Sequence, residues 1–232
     1  YFRITYASRK NSKTNPEIKK NYISYKGLFF RMELNKNSYK TIAIIPARGG
    51  SKGLKDKNIQ KLHGHPLLAY PIHLAVKSKK INKVILSTDN TNYASIGKKY
   101  GAAVPFIRPT NISNDTSTTE ETLKYSLLKA EEYYDEKYDI CIFLTATDVF
   151  RKLEDLEKCI ISLEKEESLE SCFMAQKTTK NYWEFNSENK YKRILPWMKE
   201  YSNRQVRKSI FREDTGGACA SRSYLWREGK RI

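Results

Sequence analysis

The stretch Ile44-Ile45-Pro46-Ala47-Arg48-Gly49-Gly50-Ser51-Lys52-Gly53-Leu54-Lys55-Asp56-Lys57-Asn58-Ile59 leaves an apolar run and packs three glycines among four cations. Glycines let backbone N–H groups approach an anion and permit the positive φ angles that turn successive N–H groups toward one point. Arg48 can fork onto a phosphate bidentately, while Lys52 and Lys57 add compact charge. That chemistry suits a polyphosphate, and a triphosphate is the natural guest. The competing reading is a flexible surface turn with solvated lysines. The sequence contains no GxxxxGK[ST] loop and no GxGxxG opening a helix after this run, so neither an ATPase loop nor a dinucleotide fingerprint is supported.

A loop of this kind needs a rigid frame. Residues 41–47 read as a buried parallel strand feeding the loop. Residues 66–78 have helical spacing, with Pro66 placed in the first turn. A strand over 83–87, a helix over 93–100 stopped by Gly101, and a third strand over 103–107 follow. Ser117 or Thr118 can cap a helix reaching about Tyr134, with Glu120 and Glu121 where the helix dipole favours them. Next come a strand over 139–144, an amphipathic helix over 153–166 and a strand over 170–175. This alternation predicts an α/β fold, a three-layer αβα sandwich around a mainly parallel Rossmann-like sheet. Ligands of such sheets bind beyond the carboxyl ends of the strands. The polar loops there are 48–58, 87–90 and 145–151.

A length of 232 residues suits one α/β domain, read here as 41–232. The formal charge of +17 admits nucleic acid, a membrane surface or a polyanionic substrate as partners. The lysines are scattered rather than striped, which argues against a nucleic-acid face. Cys141, Cys159, Cys172 and Cys219 form no CxxC pair, so reduced, buried thiols are expected. With no apolar run of about 18 residues and no apolar signal core, the expected compartment is the cytoplasm, with no membrane contact. Residues 1–40 are basic and Tyr-rich and include Arg9-Lys10-Asn11-Ser12-Lys13; they read as an appendage, with Met32 a candidate start and a nucleic-acid-binding arm the alternative. His63, His65 and His73 have no metal-ligand spacing, and Tyr182, Trp183, Trp197 and Trp226 read as core or dimer contacts.

These motifs resemble the acylneuraminate cytidylyltransferase family, which makes CMP-activated sialic acids and related nonulosonic acids on the nucleotide-diphospho-sugar transferase fold. The family's ARxxSKxLxxKN is matched in register by Ala47, Arg48, Ser51, Lys52, Leu54, Lys57 and Asn58. Further matches keep the family's order: Ser87-Thr88-Asp89, then Arg108-Pro109 with Asn114-Asp115-Thr116-Ser117, then 144–151 against LQPTSPLR, keeping Leu144, Thr147 and Arg151. The resemblance implies that Ala47, Arg48, Gly49, Gly50, Ser51, Lys52, Lys57 and Asn58 hold the CTP phosphates, with Ser87 and Asp89 near the nucleotide. Arg48, Lys52 and Lys57 would be catalytic. Arg108, Thr145, Thr147, Arg151 and Arg212 would face the acidic sugar. Asp89, Asp115, Arg108 and Arg212 also have plain readings as turn residues, caps or surface charges.

Two departures bear on the acceptor. Thr145-Ala146 replaces Gln-Pro, and Thr215 takes the place of Asn in the family's Arg-x-Asn-Gly-Ala segment. The resemblance also implies Mg²⁺, a homodimer, and an Asp-x-Asp metal segment expected beyond Ile232, so the domain reads as truncated there. In the implied reaction the sugar hydroxyl attacks the α-phosphorus of CTP in line and pyrophosphate departs, with catalysis by positioning and charge neutralisation. The rivals are an octulosonate-activating sister enzyme, a basic nucleic-acid-binding protein, and a silent relative that only senses CTP.

Overall fold

The computed structural model describes residues 2–6, 39–185, 190–194, 203 and 205–232. Met32, the 9–13 cluster and Trp197 lie outside the described residues. In chain order the elements are β1 (Phe2–Tyr6), β2 (Thr41–Pro46), β3 (Lys61–Leu62), β4 (His65–Pro66), α1 (Ala69–Lys77), β5 (Lys83–Ser87), α2 (Thr91–Lys99), α3 (Thr119–Tyr134) and β6 (Ile140–Phe143). Then come α4 (Leu153–Lys165), β7 (Ser171–Thr178), β8 (Trp183–Phe185), β9 (Tyr191–Arg193), β10 (Ile210–Glu213), β11 (Cys219–Arg222) and α5 (Ser223–Arg227).

β2 is a run of β-branched and apolar residues buried on both faces, which places it inside the sheet. It pairs in parallel with β5 on one side and β6 on the other. The seven-stranded sheet runs β1-β7-β11-β6-β2-β5, with β10 also on β7. β11 is antiparallel to both β6 and β7, so β7 points the same way as the parallel trio. Alternation along β2 fills two cores. Ala43 and Ile45 pack with Leu68 at the start of α1, with Ile72 of α1 and with Leu156 and Ile160 of α4. Ile42 and Ile44 pack with Leu123 and Leu127 of α3 and with Trp226 of α5. Helices therefore cover both faces, and the three-layer α/β architecture with a largely parallel centre stands. Full burial of each such aliphatic side chain contributes about 1.5–3 kcal/mol.

Two expectations are corrected. Residues 103–107 do not form a strand: Ala103 makes one parallel bridge to Ile85, and Pro105 has no N–H to extend a ladder. The helix expected from Pro66 begins at Ala69, because His65–Pro66 pairs with Lys61–Leu62 in a small hairpin; Pro71 occupies the first turn, where a missing N–H costs nothing. Within the basic arm, Phe2–Tyr6 lies antiparallel along Ser171–Ala175 of β7.

All four cysteines are buried and in the thiol form, and burial pushes the Cys219 thiol up to about 12. Trp226 is fully buried core, whereas Trp183 is half exposed. No described helix is long and apolar enough to cross a membrane.

Candidate active site

The glycine-rich loop is tied down at four points. Ala47 N donates to the Ser87 carbonyl at 2.9 Å, which keeps the β2–β5 ladder going past the end of β2. Gly49 N donates to Asp89 Oδ1 at 2.8 Å. The buried Asn58 closes the loop on itself through Nδ2 to the Arg48 carbonyl at 3.0 Å. Tyr93 of α2 donates its hydroxyl to Asp56 Oδ1 at 3.0 Å, and burial together with Asp56 raises that hydroxyl to about 12. Gly50 turns the chain at φ 67°, a conformation costly for any residue with a Cβ.

A second wall comes from the segment between α2 and α3. Arg108 is 3% exposed and donates Nε to Ser113 Oγ at 2.8 Å and Nη1 to the Ser87 carbonyl and hydroxyl at 3.3 Å. Burial pulls its guanidinium below the usual value, Asp89 opposes this, and Arg48 adds to it. The wall ends in the capping box of α3, where Thr118 Oγ1 accepts from Glu121 N and Glu121 Oε2 accepts from Thr118 N. Such a cap is worth about 1 kcal/mol. The third wall is the chain after β6, where Thr145 and Thr147 sit.

These walls enclose a cavity of about 490 Å³ at the carboxyl ends of β2 and β6. It brings together Arg48, Ser51, Lys52, Lys57, Asn58 and Arg108, and across from them Thr145 and Thr147. Ala47, Gly49, Ser87 and Asp89 stand behind it as supports through the bonds above. Asp115 bridges the loop's cations, at 2.7 Å from Arg48 and 2.5 Å from Lys52, and hydrogen bonds from these two, Lys52 foremost, hold its carboxyl below the ordinary range.

Two expected residues are placed elsewhere. Arg151 turns its guanidinium onto backbone carbonyls of Asp148, Thr145, Gly216 and Gly217, and burial pulls it down to about 10. Arg212, on β10, borders a separate cavity of about 750 Å³ with Lys177, Tyr182 and Arg207. The sequence reading did not assign Ser113, Thr119 and Thr122 to the cavity. For Ser113 and Thr119 the available signal was the run of hydroxyl and amide side chains over 110–119, interrupted by Ile112 and Asp115.

The lining gathers Arg48, Lys52, Lys57 and Arg108 among hydroxyl and amide side chains, an arrangement suited to binding an anion and neutralising its charge. Among the described residues no group of three or more His, Cys, Asp or Glu is placed to hold a metal. Asp115 is the carboxylate of that lining, and it is already engaged by two cations, so these residues do not by themselves form a seat for Mg²⁺.

A family model described as "Cytidylyltransferase" matches residues 42–218. The chain is 36% identical over 119 residues to CMP-N,N'-diacetyllegionaminic acid synthase of Legionella pneumophila, covering 51% of each chain. It is 44% identical over 94 residues to N-acylneuraminate cytidylyltransferase of Escherichia coli, covering 40% of this chain and 22% of that one. It spans about half the length, or less, of the curated relatives it matches. Among solved structures, a CMP:2-keto-3-deoxy-manno-octonic acid synthetase complexed with CTP superposes with a TM-score of 0.60 at 17% identity, over 82% of this chain and 76% of that one. This likeness concerns the fold. Because the family model runs from β2 to the turn before β11, it takes in all three walls of the cavity, and the chain belongs to the cytidylyltransferase family.

Proposed function

We propose that this domain transfers a cytidylyl group from CTP to the anomeric hydroxyl of a nonulosonic, sialic-type acid and releases pyrophosphate. The observation that carries the proposal is the convergence of Arg48, Lys52, Lys57 and Arg108 on one cavity beyond the parallel strands, in a chain of this family. The two relatives described above act, by their names, on legionaminic and neuraminic acids, which supports the acceptor class.

In this reading the sugar hydroxyl oxygen forms a bond to the α-phosphorus while the bond to the bridging oxygen breaks, and the hydroxyl proton passes to water. Charge grows on the departing pyrophosphate, and Arg48, Lys52 and Lys57 neutralise it from fixed positions. The backbone of the loop, held by Asp89 and Asn58, costs no reorganisation as the phosphates arrive. Mg²⁺ belongs to the proposal as a companion of the triphosphate, drawing its ligands from phosphate oxygens and water; no step above runs through it. With CTP as substrate, the reaction is assigned to the cytoplasm.

The proposal includes a homodimer. β8 and β9 form a hairpin outside the main sheet, and it exposes Trp183, Phe185 and Tyr191 by 52%, 58% and 73%. A cluster of aromatic side chains of this kind is suited to a protein partner.

The test is pyrophosphate release with CTP, Mg²⁺ and a panel of nonulosonic and octulosonic acids, beside Arg48→Ala. Release with a nonulosonic acid, lost in the variant, is expected. Release with an octulosonic acid alone would reassign the acceptor, and CTP binding indifferent to Arg48→Ala would remove the nucleotide reading.

A further inference from the structure

Asp115 spans the loop's cations as two phosphate oxygens would. Its Oδ1 lies 2.7 Å from Arg48 Nη2 and its Oδ2 2.5 Å from Lys52 Nζ, the two-pronged geometry that Arg and Lys offer to anions. The turn that presents it is built on both sides. Asn114 Oδ1 accepts from Thr116 N at 3.0 Å, Thr116 Oγ1 at 2.8 Å, and Ser117 N and Oγ at 2.9 Å. Before it, Ser113 is anchored to buried Arg108 and donates to the Pro109 carbonyl at 2.9 Å. After it, Thr118 and Glu121 fix the first turn of α3. Asp115 is thus held between rigid points while its side chain remains 42% exposed.

We propose that Asp115 is a displaceable stand-in for phosphate: it holds Arg48 and Lys52 in place without nucleotide, yields them to a polyphosphate, and recaptures them as pyrophosphate leaves. The inference rests on reading the cavity as the nucleotide site. Without an anion between them, Arg48, Lys52 and Arg108 would repel one another, and the two more exposed side chains, Arg48 and Lys52, would lose their alignment. A half-exposed carboxylate binds such cations weakly. A polyphosphate, with several negative charges, therefore replaces it. The exchange lowers affinity somewhat, and in return the cations are preset before binding and the product's hold is broken from within.

The experiment is calorimetric titration of the full chain with inorganic pyrophosphate in EDTA, which keeps metal effects out, for the unaltered protein, Asp115→Asn, Asp115→Ser and Arg48→Ala. Far-UV circular dichroism confirms that each variant is folded. Both Asp115 variants are expected to bind pyrophosphate about threefold more tightly or better, with slower dissociation in stopped flow. A role in simply building the turn would not tighten binding. Unchanged or weaker binding in both variants, with binding still lost in Arg48→Ala, would overturn the stand-in and leave the nucleotide site standing. Equal binding by the unaltered protein and Arg48→Ala would remove the site itself, and the inference with it.

Discussion

Asp89, at the end of the β5 strand path, accepts the backbone N–H of Gly49 at 2.8 Å across 40 positions of sequence. One strand end thereby fixes the entry of the loop that leaves the neighbouring strand, and the second loop of the fold acts on the site through the first. Asp89→Ala is expected to weaken CTP binding about fivefold, the worth of one hydrogen bond of about 1 kcal/mol, as read by titration. Asp89→Asn keeps an acceptor oxygen and should retain most of the affinity. If Asn loses as much as Ala, the charge of Asp89 reaches the nucleotide directly and the support role fails.

The packing of α2 on β5 sets a second expectation. A Cβ on Gly97 would collide with Leu86 Cδ2 and come within 3.3 Å of the Leu86 Cβ, and Leu86 is fully buried among core residues. Overpacking of this kind costs about 1–3 kcal/mol, which outweighs the gain of about 1 kcal/mol that alanine brings to a helix. Gly97→Ala should therefore lower the urea midpoint. Gly53, where an added methyl would meet nothing within 4 Å, serves as the comparison, and Gly53→Ala should stay within about 0.5 kcal/mol of the parent. An unchanged midpoint for Gly97→Ala would show that α2 sits further from β5.

The centre of the sheet was legible because β2, β5 and β6 are continuous apolar runs bounded by polar loops, the pattern of strands covered on both faces. The α3 cap was legible too, since Thr118 and Glu121 stand at capping-box spacing. β11 was not: Cys219-Ala220-Ser221-Arg222 is short and carries little strand signal, and it is a strand because β6 and β7 bond it from both sides. Pairing of that range is set by tertiary contact rather than by local propensity. In the site, the glycine-rich loop announced itself by composition. Asp115's partners did not, because more than 60 residues separate it from Arg48 and Lys52, and nothing in a single sequence reports such an approach.

Arg151 joins the third wall to the turn before β11. Its Nη1 donates to the Asp148 carbonyl at 3.1 Å and its Nη2 to the Thr145 carbonyl at 3.3 Å, and both Gly216 and Gly217 carbonyls are bonded as well. A planar guanidinium serves several carbonyls at once, which a lysine ammonium on a flexible stem cannot. Arg151→Lys is expected to destabilise the fold by about 2 kcal/mol in chemical denaturation and to leave CTP affinity nearly unchanged at temperatures where it is folded. Parent-like stability combined with loss of acceptor binding would instead place Arg151 on the sugar.

Glu131 links α3 to α5 from inside the fold. Its side chain is 1% exposed and takes Arg227 Nη2 at 2.5 Å, Lys137 Nζ at 2.8 Å and the Tyr138 N–H at 3.4 Å. Burial alone would raise its pKa, but the bonds from Arg227 and Lys137 prevail and hold it below the ordinary 4.5. For a depressed carboxylate, the folded state binds its proton less readily than the unfolded state. The stabilisation is therefore full above about 4.5 and is lost as pH falls through the lower folded value. Glu131→Gln leaves Arg227 facing a neutral amide and should cost about 3 kcal/mol near neutral pH. That difference should shrink as both proteins are denatured at successively lower pH. A gap that stays constant between pH 7 and acid conditions would mean that shape, and not the charge of Glu131, holds α3 to α5.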